Sequence, residues 1–426
     1  MIVTHVMGIM PQPRRRGTPR GEETPVSLTE DAKQLHGDLV RLRRELHAAP
    51  EVGLHLPRTQ ERVLAALDGL PLEVGTGTAL TSVTAVLRGG RPGPTVLLRG
   101  DMDALPVGER ADVDYASTVP GHMHACGHDL HTSMLVGAAH LLSARREHLA
   151  GDVVFMFQPG EEGYDGAGHM LAEGVLEASG SRPVAAYGLH VSASGAPGGV
   201  FVTRKGPLMA ASDVATVRVL GRGGHGSSPH AALDPIPAAC EMVTALQTFA
   251  TRTFPPFDPV VLTVGSFHSG TAANVIPDDA RFDITVRTFS PENQAKVRDG
   301  ITRVCRGIAA AHGLEVDVDY DEQYPVTVND DTETQFVADV VAEVHGPERF
   351  AWQPQPAAAS EDFSRVLNEI PGAFVFLGAC PADRDPRAAA FNHSPLAEFD
   401  DAVLGDGAAL YSELALRRLA AVDSAA

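Results

Sequence analysis

Leu35, Leu39, Leu42 and Leu46 recur at helical spacing between Thr29 and His47, which predicts an amphipathic helix as the first element of the fold. A second helix is expected over 61–70. The pattern then changes to short apolar runs. "TSVTAVLRG" (81–89), "TVLLRGD" (95–101), "DVVFMFQPG" (152–160) and "PVAAYGLHV" (183–191) predict strands, with a helix over 130–144 between the second and third. Strands alternating with helices imply an α/β layer structure with a largely parallel sheet.

From residue 212 the periodicity is different. "SDVATVRVLG" alternates as a half-exposed strand, and the helix expected over 233–250 has Asp234 as its cap and Pro235 at its first position. Strands follow at 258–267 and 280–289, then a helix over 290–313 that begins Ser-Pro and closes at Gly313, then a strand at 314–320. The order β-α-β-β-α-β predicts a ferredoxin-like α+β unit. After Val326 the chain returns to helix, buried strand (372–379) and a closing helix. The expectation is one α/β domain, residues 29–210 and 325–426, interrupted by a smaller domain at 211–324. Residues 1–28 place a short apolar stretch before a basic run, the reverse of a signal peptide, and are expected to be a flexible extension.

Composition narrows the function classes. A length of 426 residues suits two cores better than one. Lys plus Arg is 34 against 54 for Asp plus Glu, a net charge of −20, which disfavours nucleic acid and anionic membranes as partners. No apolar stretch reaches the ~18 residues of a membrane helix. The four cysteines form no CxxC pair, which fits a reducing cytoplasm.

Polar clusters sit where these strands end. Asp101 and Asp103 follow one strand, Glu161 and Glu162 another, and "YGLHV" closes a third on His190. Ligands of open α/β sheets bind outside the carboxyl ends of the strands. "MHACGHDLHTSM" (123–134) adds three histidines, a cysteine and an aspartate on the loop into the next helix. Cys126, His128, Glu162 and His190 are ligand types of zinc, and imidazole with carboxylate also suits manganese or cobalt. In an extended loop Cys126 and His128, two residues apart, would point the same way. A lone Cys-x-His is more often chance or structure than a site, and paired glutamates are usually a solvated surface. Here "GEEG" follows a wholly apolar strand, which favours function. One carboxylate can bind metal while the other takes the proton of a water whose pKa the metal lowers to about 7. "GRGGHGSSPH" (221–230) lacks the Lys-Ser/Thr of a phosphate loop and reads as a hairpin turn. By alternation Arg287 reads as a surface sheet residue, and "FNHSP" as a loop.

Across 35–420 the stretches "RRELHAAPEVGLH", "LLRGDMDALPV", "MHACGHDLHTSMLVGAA", "FMFQPGEEGYDGAGHML", "YGLHV", "GPLMAASD", "GRGGHGSSPH", "GTAANVIPD", "ASEDFS" and "FNHSP" occur in order. Together they resemble the M20 metallopeptidases, in the amidohydrolase branch of N-acyl-amino-acid, hippurate and auxin-conjugate hydrolases. The resemblance implies a zinc-peptidase-like catalytic domain with a mostly parallel mixed sheet, and a ferredoxin-like lid and dimerisation domain. It implies two divalent ions per subunit (Zn, Mn or Co) on Cys126, His128, Glu162, His190 and His393, with Cys126 bridging. Glu161 matches the general base and Asp103 a supporting aspartate. Asp101 stands where other branches have a metal-binding His, a departure shared by the Cys-x-His branch. His225 would reach the partner subunit's site and contact the substrate carbonyl, Asn274 would line the site from the lid, and Arg287 would clamp the substrate carboxylate. A homodimer, or a homotetramer, is implied. The expected activity is hydrolysis of N-acyl amino acids or similar small conjugates. The alternatives are a dinuclear aminopeptidase or dipeptidase of the same family, a hydrolase with Cys126 as nucleophile, and a non-catalytic ligand-binding homologue.

Overall fold

A computed structural model describes residues 27–423. The expected extension lies outside the described residues up to 26, and Ser27 and Leu28 already belong to the fold. The Ser27 hydroxyl accepts from Glu30 N and caps the helix Leu28–His47, which buries Leu28, Ala32, Leu39 and Leu46.

Four parallel strands form the centre of an eight-stranded mixed sheet. Ala150–Gln158, Arg91–Asp101, Ala185–Pro197 and Gly372–Cys380 lie side by side in that order. Antiparallel Val83–Leu87 and Leu72–Thr76 extend one flank. Phe201–Thr203, antiparallel to its neighbour, and Phe350–Trp352 extend the other. The central strands read as unbroken apolar runs because both faces are covered. Val96 and Leu98 enter one core with the helices Leu28–His47, His128–Ser143 and Leu404–Asp423. Leu97, between them, enters a second core with Met170 and Val366 of the short helices Gly166–Ala172 and Ser364–Glu369.

The chain between these halves folds as the β-α-β-β-α-β pattern predicts. An antiparallel sheet runs Val261–Ser269, Asp279–Thr288, Ala211–Leu220, Glu315–Tyr324 in spatial order. It packs on the helices Pro235–Thr253 and Pro291–Ala311, with its own core around Val217, Met242, Phe282 and Ile301. Asp234 and Ser290 cap those helices by accepting from Ile236 N and Asn293 N.

The differences from expectation are local. The second helix is Pro57–Leu67 and not 61–70, because Pro57 fits the first turn and Gly69, at φ +77°, lies beyond its end. The strand bearing His190 does not end there. It continues to Pro197, since Gly372–Cys380 pairs alongside through Gly378↔Ser192 and beyond. Short strands such as Leu72–Thr76 and Thr327–Asn329 carry too few residues for a periodicity to register. No described helix is long and apolar enough to cross a membrane.

Candidate metal centre

Asp101 is the last residue of its strand and pairs in register with Gln158, the last residue of the next. Glu161 and Glu162 therefore emerge beside Asp101, and His190 lies just past the Arg99↔Gly188 pairing on the adjacent strand. Cys126 and His128 arrive by a tight turn and not by an extended loop. Gly127 is left-handed at φ +87°, and His128 is the first residue of the helix His128–Ser143. The turn demands glycine. A Cβ at Gly127 would lie 2.3 Å from Val191 Cγ2 and 3.1 Å from the Phe399 ring. Gly127→Ala should destabilise the fold by about 1–3 kcal/mol in urea titrations, from overpacking and left-handed strain. An unchanged midpoint would refute the requirement.

Cys126 is the common member of two groups of side chains. Its Sγ lies 3.3 Å from His190 Nε2 and 3.2 Å from His393 Nε2. His393 Nε2 is 3.1 Å from Glu162 Oε1, and His128 Nε2 is 3.9 Å from that oxygen. Within Cys126–His128–His190, and within Cys126–Glu162–His393, the donor atoms all lie within 4.8 Å of one another. Both ring nitrogens of His128 are buried without a hydrogen-bond partner, the nearest carboxylate oxygens of Asp103 and Asp101 lying 3.5 and 3.6 Å away. Leaving such atoms unsatisfied costs about 1–3 kcal/mol each. A cation ligated by thiolate, imidazole and carboxylate would satisfy His128 Nε2 and leave Nδ1–H facing the Asp103 carboxylate, so the residues fit a metal.

Neighbouring bonds aim these groups. His190 Nδ1–H donates to Val191 O at 2.8 Å, which leaves Nε2 as the ligating nitrogen. Burial and the His131 imidazole hold His190 well below its usual range, hence neutral. His131 itself is a strut: its Nε2 accepts from Val191 N at 2.7 Å, so Nδ1–H donates to Asp101 Oδ1 at 2.6 Å. The two Asp103 carboxylate oxygens accept from Glu161 N at 2.9 Å and Glu162 N at 3.0 Å. Asp103 thus fixes the turn from which the two glutamate side chains diverge. Burial, with the Glu361 and Glu162 carboxylates close by, holds the Glu161 carboxyl well above the usual range.

A cleft of about 680 Å³ opens onto this cluster. Cys126, Glu161, Glu162, His190 and His393 line it together with Arg287, Ser212, Tyr324 and apolar Met209 and Phe376. Arg287 is therefore a cleft residue and not simply a surface one. Its Nη1 donates to Thr285 Oγ1 at 2.9 Å and to Val286 O at 3.0 Å. His225 and Asn274 behave differently. They sit on a two-stranded ribbon in which Val275 pairs with His225, both are exposed, and neither lines the cleft of its own chain.

The sequence profile described as Peptidase family M20/M25/M40 matches residues 97–417. The chain belongs to this family. Among its M20 relatives, thermostable carboxypeptidase 2 of Saccharolobus solfataricus is 38% identical over 92% of this chain and 98% of its own. Hippurate hydrolase of Campylobacter jejuni is 34% identical over 92% of this chain and 100% of its own. A Bacillus subtilis crystal structure, described as a dinuclear metal binding peptidase from the M20 family, superposes with a TM-score of 0.79 at 32% identity, covering 91% and 99% of the two chains. This M20 member is a metal-dependent hydrolase of amide bonds.

Buried Arg99, Glu361 and Asp362, which shape the M20 centre, were assigned no role from sequence. Arg99 donates to Asp101 at 2.6 Å, Glu361 at 2.7 Å, Asp362 at 3.1 Å and Gln158 at 2.9 Å, all inside the protein. Its signal was a charged residue inside the apolar run "TVLLRGD". Beneath the Cys126 turn, Asp129 forms an ion pair with Arg43 and accepts from His47 Nδ1, both at 2.8 Å, and so anchors the first turn of the His128 helix.

Proposed function

We propose that the chain hydrolyses the amide bond of N-acyl amino acids or similar small conjugates at a two-cation centre. Cys126, His128, Glu162, His190 and His393 would hold the cations; zinc, manganese and cobalt all suit this set. The observation that carries the reading is the Cys126 thiol standing in both ligand groups beside the unpartnered nitrogens of His128. When bound, the cations supply Lewis acidity to the amide carbonyl and acidify the attacking water. Glu161 takes the proton from that water and passes it to the departing amine; burial beside the Glu361 and Glu162 carboxylates holds its carboxyl above the usual range. Arg287 holds the substrate carboxylate across the cleft. In this reading residues 211–324 form a lid that carries Arg287, and His225 and Asn274, exposed in the single chain, would complete the site of a second copy in a homodimer. A cytoplasmic location suits the four free cysteines.

A Cys126 nucleophile is the weaker reading. Burial and the Glu162 carboxylate push the thiol up, whereas a nucleophilic cysteine needs a lowered value. Chelation separates the two: it should abolish turnover, and zinc, manganese or cobalt should restore it, whereas a cysteine nucleophile would survive. A panel of acyl amino acids and dipeptides assigns the substrate, and no turnover on any of them with added manganese or zinc would leave a non-catalytic binder. Within the panel, Arg287→Met should raise KM roughly 10–100-fold for substrates with a free carboxylate and leave their carboxamide analogues unaffected. An equal loss on both would remove the clamp.

A further inference from the structure

We propose that Asn392 is a positioning residue, whose carboxamide pins the loop carrying His393 to the Cys126 turn and to the His190 strand. The proposal rests on the metal-centre reading above. Residues 381–400 contain no helix or strand, so regular structure does not place His393. Its backbone is left-handed at φ +69°, one of two non-glycine residues so placed among those described. For a residue with a Cβ that conformation is disfavoured and persists only where the surroundings over-determine it.

The over-determination comes from two consecutive residues gripping the same segment. His393 N donates to Ala125 O at 2.8 Å. Asn392 Nδ2 donates to Cys126 O at 3.2 Å and to Val191 O at 3.0 Å, and reaches Cys126 Sγ at 3.9 Å. Its Oδ1 accepts from Ala193 N at 2.9 Å. One side chain thus joins the segments that deliver Cys126, His190 and His393. Val191 O is also the acceptor of His190 Nδ1–H, so the carbonyl that sets the His190 tautomer is the one Asn392 holds.

The residue type follows from this geometry. The position needs an acceptor toward Ala193 N–H and donors toward two carbonyls, on a short stem. A carboxylate would turn lone pairs toward Cys126 O and Val191 O, and an alkyl group would satisfy neither side.

The test uses the full chain, stripped of metal and titrated with cobalt(II). Bound cobalt is measured after dialysis against graded chelator, and the thiolate-to-cobalt charge-transfer band is recorded. Asn392→Leu and Asn392→Ala should hold cobalt about 10–100-fold more weakly than wild type, as loss of an outer-sphere partner does, and should shift the band toward that of His393→Ala. Arg387→Ala, in the same loop with its side chain 93% exposed, should match wild type. The melting temperature of the metal-free chain should fall by no more than about a few degrees in the Asn392 variants and be unmoved in Arg387→Ala. Wild-type cobalt retention and spectrum in both Asn392 variants would overturn the proposal. So would a fall in metal-free stability with cobalt binding intact, or failure of both variants to fold, since either makes Asn392 a structural residue. A wild-type chain that took up no cobalt would overturn the metal-centre reading itself, and this proposal with it.

Discussion

Glu161→Gln is expected to lower kcat by about 10²–10⁴-fold, the usual contribution of a general base, while the cations remain bound. The two halves of that expectation have separate causes. Glu161 stands apart from the two groups that share Cys126, so its amide leaves those ligands in place. The turn is held through its backbone: Asp103 accepts from Glu161 N, and the Tyr324 hydroxyl donates to Glu161 O at 2.6 Å. Neither bond involves the carboxylate, so the substitution removes the proton acceptor and keeps the frame. Glu161 also lies within reach of His128 and Glu162 as a third possible donor set. Metal analysis beside kinetics therefore decides its role. Full activity would eliminate it as the base, and loss of metal together with activity would make it a ligand.

What the sequence makes legible divides by distance along the chain. Glu161 and Glu162, Asp101 and Asp103, and Cys126 and His128 announce themselves because each pair sits at the end of a strongly patterned element. The parallel strands then carry those pairs to one edge, a consequence of the α/β rule. His393 has no such context. It is a single histidine in an unpatterned loop, 267 residues from the thiol it approaches, and only family resemblance picks it out. Glu361 and Asp362 are hidden for the same reason, being 262 and 263 residues from Arg99. Local conformation is a second blind spot. Both an extended loop and a glycine turn bring Cys126 and His128 together, and sequence spacing does not distinguish them, whereas the crowding of Val191 and Phe399 around Gly127 does. The third is assembly: His225 and Asn274 are exposed in the single chain, so their contribution is a question about a second copy.

Arg99→Met should destabilise the metal-free chain by about 3–5 kcal/mol at neutral pH, the cost of removing one partner of a buried ionic network. Methionine replaces much of the volume, so the loss is chiefly electrostatic. Burial disfavours the charged form of all three carboxyls around Arg99. Against that, the guanidinium, with His128 and His131, holds Asp101 well below the usual range. Glu361 and Asp362 are already above it with Arg99 present, because burial outweighs the single positive charge they share. Without Arg99 all three rise, Asp101 from below its usual range and Glu361 and Asp362 from above theirs. A carboxyl whose folded value lies above its unfolded value of about 4 contributes stability below that pH and loses it as pH rises through the folded value. The deficit of Arg99→Met relative to wild type should therefore be small near pH 4 and widen toward pH 7, read from urea titrations of both metal-free chains. Arg99→Lys supplies the charge but only three donors on a point-like head, against four simultaneous acceptors, and should fall between them. A deficit that stayed constant with pH would locate the effect in packing and dismiss Arg99 as the charge that makes this acidic interior tolerable.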